Sequence, residues 1–235
     1  CAGISVMRVL QPHLKESPLL MAGHSLGEYT ALTAAGVLDL ADAVRLVALR
    51  GKFMQEAVPA GTGAMAAILG LDDDQVRAVC AEGAQGEVAE AVNFNSPGQV
   101  VVAGDAAAIA RVTELAKAAG AKRALMLDVS VPSHCALMKP AAERLAEAMQ
   151  TIDFKSPGTP ILHNVSVAEA SDPAAIRQLL VEQLFSPVRW VETVQAIAAR
   201  GVPLVIEAGP GKVLAGLVKR IDKQLNALPV FDPAG

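Results

Sequence analysis

A serine framed by two glycines, Gly23-His24-Ser25-Leu26-Gly27, stands directly after an apolar run and directly before a helix-like one. Gly-x-Ser-x-Gly between a strand and a helix is a nucleophile elbow: the turn is sharp, and the serine is held in a strained backbone conformation. Glycines two residues to either side are expected to let strand and helix approach closely. Ser25 Oγ then projects into a crevice at the carboxyl end of the strand. The Leu26 N–H lies at the helix N-terminus, where a free donor and the helix dipole favour an oxyanion. The same five residues also arise by chance in chains where the serine merely fills a turn.

A serine hydroxyl needs a base to become a nucleophile, and the chain has four histidines. His24 adjoins the serine, but its side chain should point elsewhere, toward structure or substrate. His13 lies on the opening helix and is expected in solvent. His134, in "VSVPSHCALMKP", follows Pro132 and precedes a helix, at a place where it could overhang a crevice. His163, in a strand-like segment, is the other candidate. Cys135 adjoins His134, but consecutive side chains diverge, so the two do not make a dyad. Arg50 is the third feature. It shares a helical stripe with Ala43, Val47 and Met54, a face on which an unpaired charge is costly. It reads either as half of an internal salt bridge or as a fork for a substrate carboxylate.

These residues require elements to hold them. "CAGISVMRVLQPHL" predicts an opening helix with no N-cap before it, as if entered midway, with residues expected upstream. "LLMAG" predicts a short strand, residues 28–38 a helix ended near Gly36, and 41–57 a second helix stopped by Pro59. From "PAGTG" onward the order changes. "AMAAILG", "EVAEAVNFN", "QVVVAGD" and "KRALMLDVS" read as strands. "DDDQVRAVCAEG" and "AAAIARVTELAKAAG" read as helices, the first with acids that complement its dipole, the second closed by Gly120. The order β-α-β-β-α-β is the ferredoxin-like plan, and it bounds an inserted unit at 61–131. Beyond it the pattern predicts helices over 140–150, 173–185, 188–200 and 212–225. Strands are predicted at "TPILHNVSV" and "PLVIEAG". The near-continuous apolar runs "LLMAG" and "PLVIEAG" predict parallel strands buried on both faces.

Composition narrows the function. Of 235 residues 52% are hydrophobic but only 3% aromatic, which favours helices packed on sheets. A net charge of −4 argues against a nucleic-acid surface. No apolar run reaches the ~20 residues that span a bilayer. Cys1, Cys80 and Cys135 give neither a disulfide framework nor metal-ligand spacing, which predicts a reducing, cytoplasmic setting.

Taken together, the blocks "GHSLGEYTAL", "LRGKFMQEAVPAGTGAMAAI", "NFNSPGQVVVAG", "GAKRAL", "VSVPSHCALMKPAAERL", "QLFSPVRW" and "EAGPGKVLAGLVKRI" resemble the malonyl-CoA:acyl carrier protein transacylases of fatty-acid synthesis, from end to end. The resemblance implies an α/β fold: an α/β-hydrolase-like core with a mostly parallel sheet, residues 1–60 and 132–235, interrupted by the ferredoxin-like unit. It implies that Ser25 is acylated, that His134 is the general base, and that a main-chain carbonyl at Gln183, in place of an acid, orients the imidazole. Arg50 would pair with the malonyl carboxylate and Leu26 would supply an oxyanion donor. His24 and Ser133 would face the substrate, Ser133 at a position that varies with the acyl side chain. Malonyl-CoA and acyl carrier protein would be the partners of a monomer that uses no cofactor, binds no metal and touches neither nucleic acid nor membrane.

The family's usual opening strand and Phe-x-Gly-Gln-Gly-Ser-Gln loop, whose glutamine backbone is a second oxyanion donor, has no match here; Cys1 aligns with the helix before the serine strand. Losing one such donor costs on the order of 3 kcal/mol. Other expectations therefore stand beside transfer. One is a serine thioesterase or hydrolase with the same elbow, although such enzymes usually show serine, acid, histidine in chain order. Another is an inactive fragment, and a third is an acyltransferase domain of a polyketide synthase.

Overall fold

The computed structural model describes residues 1–129 and 131–231. Its chain is mixed α/β, with parallel and antiparallel sheets. It opens with helix α1 (Ala2–Leu10), strand β1 (Met21–Ala22), helix α2 (Leu26–Ala34) and helix α3 (Leu40–Ala57). Next come β2 (Gly63–Leu69), α4 (Asp73–Ala84), β3 (Ala89–Ser96), β4 (Gln99–Asp105), α5 (Ala106–Ala118) and β5 (Arg123–Met126). The remainder is α6 (Lys139–Met149), β6 (Ile161–Leu162), α7 (Pro173–Gln183), α8 (Trp190–Ala199), β7 (Leu204–Ala208), α9 (Val213–Ile221) and β8 (Asn226–Val230).

The segment from β2 to β5 makes one antiparallel sheet of order β3–β4–β2–β5. Period-two alternation sorts its side chains to two faces. Ala66, Ile68, Val100 and Val102 pack under α4 and α5. Met65, Val92, Val101 and Ala103 face the other way and enclose Cys135. That second face grips the segment carrying His134. Local signals held here: Asp72 and Gln75 form a reciprocal capping box at the start of α4, and Gly98 takes a positive φ of 71° in the β3–β4 turn.

In the rest of the chain, β1 pairs with β6 and β7 with β8, both parallel. Leu32, Leu46, Leu145, Ile161, Ile176 and Leu180 join α2, α3, α6 and α7 in the largest apolar cluster. Backbone bonds from Phe94 to Val188 and from Val188 to Val92 fasten β3 to the chain before α8.

Several expectations fail. Neither apolar run is buried on both faces: β1 is half-buried and Leu204 of β7 is 43% exposed. Each of these strands has a single strand partner among the described residues, so apolarity alone overstated its burial. The "TPILHNVSV" strand shrinks to Ile161–Leu162 because the chain turns at His163–Val167, with Val167 at φ 56°. The last helix stops at Ile221, not 225, and β8 was not foreseen, because Pro229 disguised a strand that pairs with β7. The α2 helix begins at Leu26, two residues early, since Ser25 itself is its N-cap position. Ser130, at the end of the last strand predicted for the insertion, lies outside the described residues. Among the described residues no helix is long and apolar enough to cross a membrane.

Candidate active site

Ser25 sits between β1 and α2 at φ 50° and ψ −107°. That region is sparsely populated by side-chain-bearing residues and costs about 1–3 kcal/mol unless its surroundings enforce it. Part of the enforcement is Gly23. A Cβ there would lie 2.0 Å from the Gly27 carbonyl carbon, so β1 and α2 meet only because residue 23 has no side chain. Gly27 differs from expectation: a Cβ on it meets nothing within 4 Å. The close approach is therefore made by one glycine, not two.

The base is His134. Its Nε2 lies 2.7 Å from Ser25 Oγ, and its Nδ1 lies 2.7 Å from the Gln183 carbonyl oxygen. A carbonyl can only accept, so Nδ1 carries the proton and Nε2 is left bare to take the one on Ser25. Among the described residues no carboxylate bonds to the ring. The His134 backbone also lies at positive φ, 67°, and its N–H donates to the Leu184 carbonyl. Ser25 and His134 are thus both held at positive φ by buried bonds. Burial, and after it the Arg50 charge, push the His134 imidazole from its ordinary 6.5 down to about 3, against the Gln183 carbonyl, which raises it. The ring is neutral, and ready to accept a proton, throughout the neutral range.

Arg50 completes the group from α3. It is 7% exposed and pairs with no acid among the described residues. The internal salt bridge is therefore not what holds it. One guanidinium nitrogen donates to Ser25 Oγ and to Gln183 Oε1, each at 3.3 Å. Its Nε is buried with no partner, as is the hydroxyl of Tyr29, whose ring centre lies 5.7 Å from the guanidinium carbon. A buried cation with an unsatisfied donor, beside the Ser25 hydroxyl, has the chemistry to receive a carboxylate.

The remaining predicted residues fall into place unequally. Leu26 is the first residue of α2, so its N–H has no acceptor within the helix and is available beside Ser25 Oγ. Gln183 joins the site through its carbonyl, and also through its side chain, whose Nε2 donates to the Ser25 carbonyl at 3.1 Å and to Glu28 at 2.7 Å. His24 turns away from Ser25, as expected. It donates to Asn95 Oδ1 of β3 at 2.8 Å and packs on Trp190. Ser133 is half-buried beside His134. His163, the alternative base, is excluded: it is fully buried and its Nδ1 donates to Glu28 at 2.6 Å. Cys135 is buried with its thiol pushed up to about 12, first by desolvation, and donates to the Pro132 carbonyl. It is not a nucleophile.

Sequence reasoning missed Glu28 and Asn164. The signals were there: an acid on the first turn of an inward-facing helix, and an Asn closing an apolar strand.

A pH profile follows from the imidazole. The kcat/KM for acylation is expected to stay level from about pH 8 down to about pH 5, because the free-enzyme base is already unprotonated there. An acid limb centred at the ordinary histidine value would mean that the base is not this buried ring.

Comparison with known proteins places the chain. The acyl transferase domain model matches residues 11–231. A malonyl CoA-acyl carrier protein transacylase of Escherichia coli O157:H7 is 57% identical over 99% of this chain and 75% of its own length. An acyl carrier protein S-malonyltransferase structure from Vibrio cholerae superposes with a TM-score of 0.97 at 55% identity, covering 99% of this chain and 76% of that one. A malonyl-transacylase solved in complex with its type II PKS acyl-carrier protein does so at 0.97 and 55%, covering 99% and 75%. The chain thus spans about three quarters of the length of these relatives.

Proposed function

This chain belongs to the acyl transferase domain family, and from that premise we propose how its site works. It transfers a malonyl group from malonyl-CoA to the phosphopantetheine thiol of acyl carrier protein, in fatty-acid biosynthesis. The carrying observation is a single oxygen, Ser25 Oγ, that lies 2.7 Å from the neutral base His134 and 3.3 Å from the Arg50 guanidinium.

In the first half-reaction His134 Nε2 takes the Ser25 proton as Oγ bonds to the thioester carbonyl carbon. The Leu26 N–H stabilises the oxyanion. The C–S bond then breaks, and the thiol of CoA leaves with the proton from His134. The malonyl-Ser25 ester remains, its carboxylate on Arg50. In the second half-reaction the carrier-protein thiol gives its proton to His134, attacks the ester and restores Ser25. The kinetics are ping-pong. His24 and Ser133 lie on the substrate side of this scheme. It draws on side chains and backbone alone and requires no cofactor. Binding of the malonyl carboxylate to Arg50 also removes one cause of His134's low basicity, so the correct substrate sharpens the base that attacks it.

The finer fold reading belongs with this function. Residues 61–131 form a ferredoxin-like unit set into an α/β-hydrolase-like core of residues 1–60 and 132–235, with the crevice between them, in a cytoplasmic monomer. The imidazole is backed by a carbonyl instead of an acid, which sets the site apart from serine, acid, histidine hydrolases.

The test is incubation with labelled malonyl-CoA, followed by peptide mapping and addition of holo-acyl carrier protein. Label on the Ser25 peptide that moves to the carrier protein is the expected result. Release as free malonate without carrier protein would make the chain a thioesterase.

Carrier proteins are acidic, and Lys212, Lys219, Arg220 and Lys223 expose a basic stretch along α9. Arg220 donates to Gln99 at the start of β4, four residues past Asn95, the partner of His24. Lys219→Glu with Lys223→Glu should raise the KM for carrier protein about tenfold at low salt, with little change for malonyl-CoA. An unchanged KM would mean that this helix end is merely solvated.

A further inference from the structure

Asn164 lies at the end of β6, the strand beside β1, and carries no reacting atom. Its fully buried side chain spans the elbow. Nδ2–H donates to the Gly23 carbonyl at 2.7 Å, and Oδ1 accepts the Ser25 N–H at 2.7 Å. These two backbone groups flank His24 and are ones that a neighbouring strand would otherwise bind; the register of β6 with β1 ends at Ala22. The Ser25 carbonyl is held from the opposite side, by Gln183 Nε2 and by the Glu28 N–H. Glu28 ties the supports together. Its carboxylate accepts from His163 Nδ1 at 2.6 Å, from the Asn164 N–H at 3.1 Å and from Gln183 Nε2 at 2.7 Å. Both polar backbone groups of a strained serine are therefore fixed by buried side chains from distant parts of the chain.

We propose that Asn164 is a positioning residue for Ser25: its amide clamps the backbone on both sides of His24 and so sets the 2.7 Å reach from Ser25 Oγ to His134. This rests on Ser25 being the nucleophile, as read above. Without the clamp, Ser25 relaxes toward an ordinary φ, Cβ swings with it, and Oγ leaves the line to Nε2. Arg50 makes no bond to Asn164, so malonyl binding is untouched. A displacement of about 1 Å at a reacting group costs on the order of a hundredfold in rate.

The experiment compares Asn164→Asp and Asn164→Ala with the unmodified chain, using a serine-directed fluorophosphonate. Ser25 Oγ bonds to phosphorus, the P–F bond breaks, fluoride leaves and His134 takes the proton. Asp keeps the acceptor for Ser25 N–H and loses the donor to Gly23; Ala loses both. The labelling rate constant should fall about tenfold for Asp and about a hundredfold for Ala. Labelling amplitude per folded molecule should stay near that of the unmodified chain. In the malonyl assay kcat should fall with the KM for malonyl-CoA unchanged. A normal rate constant with reduced amplitude, or a raised KM with normal kcat, would overturn the proposal and leave Asn164 a structural residue. If Asn164→Ala does not fold, the isosteric Asn164→Asp decides alone. The probe carries no malonyl group. An unmodified chain that takes the fluorophosphonate but not malonyl-CoA would defeat the substrate reading while leaving this test intact.

Discussion

Ser25→Ala is expected to abolish malonyl loading and to lower transfer to carrier protein by about 10⁵- to 10⁶-fold, the scale on which nucleophile removal collapses covalent catalysis. The loss is so large because everything else in the site acts through this oxygen. His134 has only its proton to accept at 2.7 Å, and Arg50 donates to it directly. The variant should keep its fold. Alanine tolerates φ 50° about as poorly as serine does, and the clamps on its N–H and carbonyl are to backbone atoms that remain. Intact-mass spectrometry after exposure to malonyl-CoA reads the outcome. Mass added at another residue, with transfer retained, would remove Ser25 from the role.

Arg50→Ala is expected to cost malonyl transfer about 2–5 kcal/mol, roughly thirty- to several-thousandfold in kcat/KM, as when one partner of a buried charge-assisted pair is lost. Acetyl-CoA gives the contrast. It brings no carboxylate, so in the unmodified site it leaves the guanidinium buried and unmatched. Its use should change little, or rise, in the variant. A second consequence has a definite sign. Arg50's charge is the second cause of His134's depressed basicity, so removing it raises the imidazole toward 6.5. Burial, the larger cause, remains. The acid limb of kcat/KM for acetyl-CoA should therefore move up in pH without reaching the ordinary histidine value. Equal losses for malonyl and acetyl donors would make Arg50 a structural cation.

Much of the elbow was legible locally. Gly-x-Ser-x-Gly after a short apolar strand predicts a strained serine at a helix start, and Ser25 sits at φ 50° where α2 begins. The order of strands and helices from β2 to β5 was equally legible. Helix α4 carries its own capping box, the β3–β4 turn its own glycine, and the strands alternate with period two, all short-range signals. The edges of the parallel sheets were not, because β1, β6, β7 and β8 owe their extent to partners far away in sequence. For the same reason β8 passed unseen and "TPILHNVSV" was read as too long a strand.

The amino-acid order by itself determined which groups are available: one serine on a tight turn, an arginine on a helix stripe, and two histidines able to serve as base. Residue types and spacing, without the family resemblance, left both histidines open, and the tertiary structure separates them by their partners. It buried His163 against Glu28 and brought His134, 109 residues from Ser25 in sequence, to within 2.7 Å of the Ser25 hydroxyl. It also set Arg50 against the Ser25 hydroxyl and Gln183, with no acid paired to it among the described residues, and brought Asn164 and Glu28 to the same place. The physical reason is one of range. Backbone strain, capping and turn chemistry are set by neighbours a few residues apart, whereas desolvation and buried hydrogen bonds depend on what packing brings together from across the chain.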